Sequence, residues 1–144
     1  MSIKQLFAKK WAKRAVNSTN KWAQNPIATQ EKMLKMLLQK AKKTAFGQDH
    51  GFAQIENHED FAKQVPIRDY EGLRPYVDRV VAGEADVLWP GKPRYFSKTS
   101  GTTSGVKYIP ISKESMPTHI KTAQNALFHY IHHSGNTSFV DGKM

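Results

Sequence analysis

Apolar residues in the first third of the chain recur at helical spacing. Over residues 2–23 they lie three or four positions apart, and Ser2 is a residue type that caps helix N-termini. Asn25-Pro26 breaks the pattern, because a residue before proline disfavours the helical backbone. A second helix is predicted to begin at Thr29 and to end by Gly47. The predicted inward stripes are Ile3, Leu6, Phe7, Trp11 and Ala15 in the first helix, and Met33, Leu34, Leu37, Leu38 and Ala41 in the second.

The middle of the chain alternates short helices with extended backbone. A short helix is predicted over Glu56 to Gln64 with Phe61 inward, followed by an extended Val65-Pro66-Ile67. Asp69 can cap a further helix that runs to about Ala82 and ends at Gly83. The apolar side of that helix is predicted as Leu73, Tyr76, Val77, Val80 and Val81.

Two candidate strands flank a run of small polar residues. Arg94 to Ser97 and Lys107 to Ile111 are typical of short strands, so the segment predicts a hairpin whose residues 98–105 form a tight, poorly ordered turn. Ser112 is predicted to cap a last helix through about His133, with Pro117 in its early turns or marking a later start. Helices beside a hairpin place the chain in the α/β or α+β class.

Charge is distributed unevenly along the chain. The chain has 144 residues and a net charge of +10, and residues 1–45 hold eleven basic residues against the single acid Glu31. The remaining residues are balanced, with eleven of each sign. An anionic partner is therefore expected at residues 1–45, if anywhere. The absence of cysteine excludes disulfide frameworks, thiolate zinc sites and cysteine nucleophiles. No apolar run is long enough to span a membrane and no signal peptide is evident, so a cytoplasmic protein is expected.

The candidate chemistry lies between Thr99 and Lys107. Gly101 and Gly105 allow the backbone to approach an anion, Lys107 adds a positive charge, and hydroxyl donors come from Thr99, Ser100, Thr102, Thr103 and Ser104. Such a segment suits a polyphosphate, although a flexible connector has the same composition. A Walker A loop is excluded because Val106 precedes the lysine and a strand follows. The S-x-x-K pattern of serine acylases is rejected because its serine would have to begin a helix.

The segment Ser100-Gly101-Thr102-Thr103 with Gly105 and Lys107 resembles the phosphate-binding motif of adenylate-forming enzymes. That motif is S-G-T-T-G-x-x-K-G; here the second glycine comes one position later and Tyr108 replaces the last glycine. The surrounding segments are similar to the GH3 auxin-responsive promoter family of acyl-acid amido synthetases, over about residues 30–115. They are Thr44 to Gly47 with His50 and Phe52, Val65 to Glu71, Gly83-Glu84, Asp86 to Gly91, and Ile109-Pro110. The spacing from the last loop glycine to Ile109-Pro110 favours a bacterial-type branch.

The resemblance implies a two-step reaction. ATP and a small carboxylic acid give an acyl-adenylate and pyrophosphate, and an amine or amino acid then displaces AMP. Lys107 would be the catalytic residue, ATP would come with Mg²⁺, and the ATP-binding residues would be Ser100, Gly101, Thr102, Thr103, Ser104 and Gly105. The chain would be an N-terminal portion, too short to catalyse alone. Residues 1–45 would form a basic helical segment and residues 46–144 part of the adenylate-forming domain.

Two other interpretations stay open. The chain could be a non-catalytic basic module whose residues 1–45, including Trp11 and Trp22, contact an anionic membrane or nucleic acid, although no specific nucleic acid is expected. It could also be an inactive scaffold fragment. His129, His132 and His133 could form a metal-binding face, but exposed histidines also favour a helix C-terminus, and no metal site is predicted. Asp69, Glu71, Asp78, Glu84 and Asp86 are interpreted as helix caps and solvated faces rather than acid–base groups.

Overall fold

The computed structural model describes residues 2–99 and 105–142, and these are mostly helical with a small two-stranded antiparallel sheet. The chain divides into two compact units, Met1–Pro26 with Met116–Met144, and Ile27–Ser115. A separate division at residue 45, between a basic segment and an enzyme domain, stays a prediction. The described elements are α1 (Ile3–Ala23), α2 (Pro26–Ala41), α3 (Ala45–Asp49), α4 (His58–Gln64), α5 (Tyr70–Val81), β1 (Tyr95–Thr99), β2 (Lys107–Ile111), α6 (Ser115–Ser134) and a 3₁₀ turn (Ser138–Asp141).

The N-terminus of α1 is capped as the sequence predicts. The Ser2 hydroxyl accepts from the Gln5 backbone N–H at 3.3 Å, and the Gln5 side chain accepts from the Ser2 N–H at 3.2 Å. The Ser2 hydroxyl also donates to the Asp141 carboxylate at 2.7 Å, and the Gln5 side-chain amide donates to the same carboxylate. These bonds join the start of α1 to the 3₁₀ turn.

The predicted inward stripe of α1 is wrong. Ile3, Leu6, Phe7 and Trp11 are each more than half exposed, and the buried residues of the helix are Ala8, Ala12 and Val16. The core of this unit comprises Ala8, Ala12 and Ile131, with Phe128 and Val140 packed against it. The small alanine side chains leave room for the larger Ile131 and Phe128 of α6 to pack against them. The small-residue face therefore packs inward and the large-residue face lies outside.

The second unit is built around α2 and α5. Its buried residues include Leu38, Ala41, Thr44, Gly47, His50, Ile55, Val77, Val80 and Val87. The Asp69 side chain accepts from the Gly72 N–H at 2.9 Å, which confirms the predicted cap of α5, and Gly83 follows the helix with φ +89°. Val81 was expected on the inward side and is exposed instead.

Helix α2 begins earlier than predicted. It starts at Pro26, so Thr29 lies within its first turn. Proline suits a first helical position because the N–H that it lacks has no partner there. Within the predicted stripe Leu38 and Ala41 are buried and Leu34 is half-buried, whereas Met33 and Leu37 are exposed.

The predicted hairpin is confirmed. Strands β1 and β2 pair antiparallel, from Tyr95 opposite Ile111 to Thr99 opposite Lys107. The first strand begins one residue later than expected and continues to Thr99. The predicted tight turn falls largely on residues 100–104, outside the described residues. Helix α6 begins at Ser115 rather than directly after Ser112, although the Ser112 hydroxyl accepts from the Ser115 N–H at 3.0 Å, and Pro117 stands in its first turn.

Candidate functional site

The predicted phosphate-binding residues divide into two groups. Ser100, Gly101, Thr102, Thr103 and Ser104 lie outside the described residues. Gly105 and Lys107 are described, on the limb of the hairpin that leads into β2. Gly105 has φ +79°, and a Cβ built on it would meet no atom of residues 2–99 or 105–142 within 4 Å. This backbone conformation favours glycine.

Lys107 lies against an aromatic ring. Its Nζ is 5.5 Å from the centre of the Tyr70 ring, a cation–π distance, and the residue is half-buried. No carboxylate in residues 2–99 or 105–142 forms an ion pair with it. The charge of Lys107 is therefore positioned without being neutralised, as an anion site requires.

Tyr70 is the residue that sequence reasoning missed. Its phenol oxygen accepts a hydrogen bond of 2.8 Å from the backbone N–H of Tyr108, the neighbour of Lys107. Tyr70 is the first residue of α5, directly after the Asp69 cap, so its backbone is fixed by the helix start. The sequence offered one signal for Tyr70. It belongs to Val65 to Glu71, one of the segments that resemble the family, but the resemblance gave this residue no individual role.

A second lysine lies on the opposite face of the hairpin. Lys98 pairs with Tyr108 in register, and its Nζ is 5.4 Å from the centre of the Tyr108 ring. Since neighbouring strand residues point to opposite faces, Lys98 and Lys107 lie on the two faces of the hairpin, at the end of the strands next to the connecting segment. The Arg74 guanidinium adds a third cation 5.9 Å from the Tyr70 ring, but it also pairs with Glu71 at 3.0 Å.

Two of the segments that support the resemblance contact each other and form scaffold. The Ala45 and Phe46 N–H groups donate to the carbonyls of Asp86 and Val87 at 2.8 and 2.9 Å. A Cβ on Gly47 would lie 2.1 Å from the Ala41 carbonyl oxygen, so only glycine fits there. These residues hold α3 against the end of α2 and against the segment after α5. They shape the unit rather than the candidate site.

Aromatic packing fixes the middle of α5. The Tyr76 ring packs edge-on against Phe46 at 5.0 Å, and its hydroxyl donates to the Asp49 carboxylate at 2.8 Å. Burial, followed by the hydrogen bond to Asp49, raises the pKa of Tyr76 above its ordinary value. Helix α5 thus has one tyrosine anchored in the aromatic cluster and another, Tyr70, beside the hairpin.

Metal ligands do not gather in the described part of the chain. Over residues 2–99 and 105–142, no group of three or more His, Cys, Asp or Glu residues could hold a metal ion. The sequence offered three histidines as a possible metal-binding face. One of them, His129, places its Nε2 at 3.0 Å from the Thr19 hydroxyl. None of the described helices is both long and apolar enough to cross a bilayer.

Comparison with known proteins identifies the family of the chain. It is similar to the solved structure of GH3.15 acyl acid amido synthetase, with a TM-score of 0.67 and 26% identity over 79% of this chain and 20% of that one. The model of the GH3 family N-terminal domain matches residues 15–143, so the chain belongs to the GH3 family. The family resemblance noted in the sequence is thereby confirmed.

Plant enzymes are among the relatives. The chain is 34% identical to jasmonoyl-L-amino acid synthetase JAR6 of Nicotiana attenuata, over 60% of this chain and 15% of that protein. It is 33% identical to 4-substituted benzoates-glutamate ligase GH3.12 of Arabidopsis thaliana, over 74% of this chain and 17% of that protein. The chain thus spans about one sixth of the length of these curated relatives.

Proposed function

We propose that this chain supplies the nucleotide-phosphate loop of an ATP-dependent acyl-acid amido synthetase. The observation that carries the proposal is the contact between Tyr70 and Lys107, which no described carboxylate neutralises and which lies next to a glycine- and hydroxyl-rich segment. Membership of a family whose relatives include amino acid synthetases and ligases supports the reaction class. A cytoplasmic location, where ATP is available, is part of this proposal.

The reaction assigns a role to each loop residue. A carboxylate oxygen attacks the α-phosphorus of ATP and forms the acyl-adenylate, while the bond to the β-phosphate breaks and pyrophosphate leaves. Negative charge grows on the leaving group, so donors that are already in place lower the barrier. Lys107 supplies the charge, and Gly101 and Gly105 permit close approach of the backbone. The hydroxyl donors are Ser100, Thr102, Thr103 and Ser104.

Magnesium fits as a companion of the nucleotide. The described residues offer no carboxylate cluster to hold it, and Mg²⁺ is commonly bound through substrate phosphates and one or two carboxylates. When bound, it would neutralise phosphate charge. The second step needs an amine, whose nitrogen attacks the acyl carbon and releases AMP. A small carboxylic acid and an amine or amino acid are therefore the proposed substrates.

Pyrophosphate release tests this proposal. The polypeptide of the full reading frame is given ATP and Mg²⁺ with a panel of carboxylic acids, and pyrophosphate is measured in single turnovers. We expect release with at least one acid and its loss when Gly101 and Gly105 are both replaced by valine, because Cβ atoms would bar the backbone from the phosphates. Unchanged release from that double variant would remove the loop from the mechanism.

A further inference from the structure

The outer face of α1 combines large apolar side chains with uncompensated charge. Ile3, Leu6, Phe7 and Trp11 are 73%, 52%, 54% and 54% exposed. Ala8 and Ala12, on another side of the helix, form the core of the unit with Ile131, and Trp11 reaches its edge by packing edge-on against Phe128 at 6.4 Å while staying 54% exposed. Phe7 and Trp11 lie 6.4 Å apart and form a continuous aromatic surface.

The cations of α1 lie around and among these apolar residues. Helical spacing places Lys10 and Arg14 on the same face as Ile3 and Phe7. No acidic residue occurs in the helix, and none of its basic residues forms an ion pair with a described carboxylate. The basic residues of α1 are Lys4, Lys9, Lys10, Lys13, Arg14 and Lys21.

This combination decides between possible partners. The phosphates of a nucleic acid would satisfy the lysines, but its backbone offers nothing to the aliphatic Ile3 and Leu6. An anionic bilayer supplies both requirements, with negative headgroups for the cations and acyl chains for the apolar side chains. At about 1.5 Å per residue, α1 is about 32 Å long and could lie flat in the interface with its small-residue face still packed on its own core.

We propose that the outer face of α1 binds the surface of an anionic lipid bilayer. Phe7 and Trp11 would insert at headgroup depth, where aromatic rings are favoured, and Lys10 and Arg14 would contact lipid phosphates. This contact does not involve the hairpin, so the membrane proposal and the proposed enzyme function can be tested and rejected independently.

Vesicle co-sedimentation tests the proposal. The 144-residue chain is mixed with vesicles of phosphatidylcholine alone, or of phosphatidylcholine with about one third phosphatidylserine. We expect binding to the anionic vesicles alone, weakening as salt rises. Leu6→Ser combined with Phe7→Ser should lower the partition coefficient at least about tenfold. Lys10→Gln and Arg14→Gln should each lower it about fivefold.

Two control variants isolate the face. Ile67→Ser removes an exposed apolar side chain from the other unit, and Lys113→Gln removes an exposed charge outside α1; both should bind vesicles as the parent chain does. Circular dichroism verifies that every variant keeps its helices. Equal losses in the control variants would overturn the proposal, because binding would then follow total charge or apolar content.

Three further outcomes would also overturn it. The first is that the Leu6 and Phe7 double variant keeps full affinity for vesicles, and the second is that the chain binds a short DNA duplex more tightly than anionic vesicles. The third is that the polypeptide of the full reading frame does not bind vesicles, which would mean that another segment covers this face.

Discussion

Helix α1 and the β1–β2 hairpin both carry lysines, and they hold them differently. On α1 six basic residues surround an exposed apolar face and no described carboxylate pairs with any of them. At the hairpin, Lys107 and Lys98 each lie within 5.5 Å of a tyrosine ring centre. Spread charges suit a broad anionic surface, whereas a fixed charge suits one anion in one place. The difference is the basis for proposing surface binding at α1 and phosphate chemistry at the hairpin.

Removal of single lysines from the two regions should give the largest contrast. Lys107→Ala should slow formation of the acyl-adenylate about 10²–10³-fold, the usual effect of losing one charge-stabilising donor. Lys10→Ala removes the same charge from α1 and should leave that rate unchanged. Single-turnover pyrophosphate release from the full-reading-frame polypeptide measures both. Equal rates of acyl-adenylate formation in the two variants would mean that the lysines of α1 and of the hairpin do not differ in their role.

The orientation of α1 can be tested through stability. Ala12 is fully buried, so Ala12→Leu should overpack the core and lower the free energy of unfolding by about 1–3 kcal/mol. Phe7→Ala on the outer face should change it by no more than about 0.5 kcal/mol. Urea denaturation of the 144-residue chain measures both values. If Phe7→Ala lowered the free energy of unfolding more than Ala12→Leu does, the large-residue face would be the one that packs inward.

The contact that positions Lys107 should give the smallest effect. Tyr70→Phe keeps the ring below Lys107 but removes the acceptor for the Tyr108 N–H, a loss of about 1 kcal/mol. Amide hydrogen exchange at Tyr108 should therefore accelerate about fivefold. Tyr76→Phe, which removes a hydroxyl from the same helix away from the hairpin, should leave this amide unchanged and serves as the control. No change in Tyr70→Phe would exclude Tyr70 from positioning the strand.

Local signals in the sequence predicted the helix caps and the hairpin. Ser2 and Asp69 cap their helices through hydrogen bonds to residues three positions away. The two strands are short segments that lie close together in the sequence. The inward face of α1 was missed because large apolar residues outweigh alanine in any periodic pattern. The small face is buried because Ile131 and Phe128 of α6 and Val140 of the 3₁₀ turn pack against it in the folded chain.

Contacts between distant residues lay beyond such signals. The bond between Tyr70 and Tyr108 joins residues 38 positions apart, so neither local pattern indicates it. The chemistry of the loop could be proposed from its glycines, hydroxyls and lysine. The fixation of Lys107 by an aromatic ring depends on how α5 lies beside β2, which emerges only in the folded chain.

The most direct test asks which of the two lysine-bearing regions binds phosphate. The 144-residue chain, labelled with ¹⁵N, is titrated with tripolyphosphate and Mg²⁺, and amide shifts are followed by NMR. We expect weak, saturable shifts at Gly105, Lys107 and Tyr108 that are lost in Lys107→Ala, with only small shifts along α1 that disappear as salt rises. Saturable shifts along α1 with none at the hairpin would contradict this expectation.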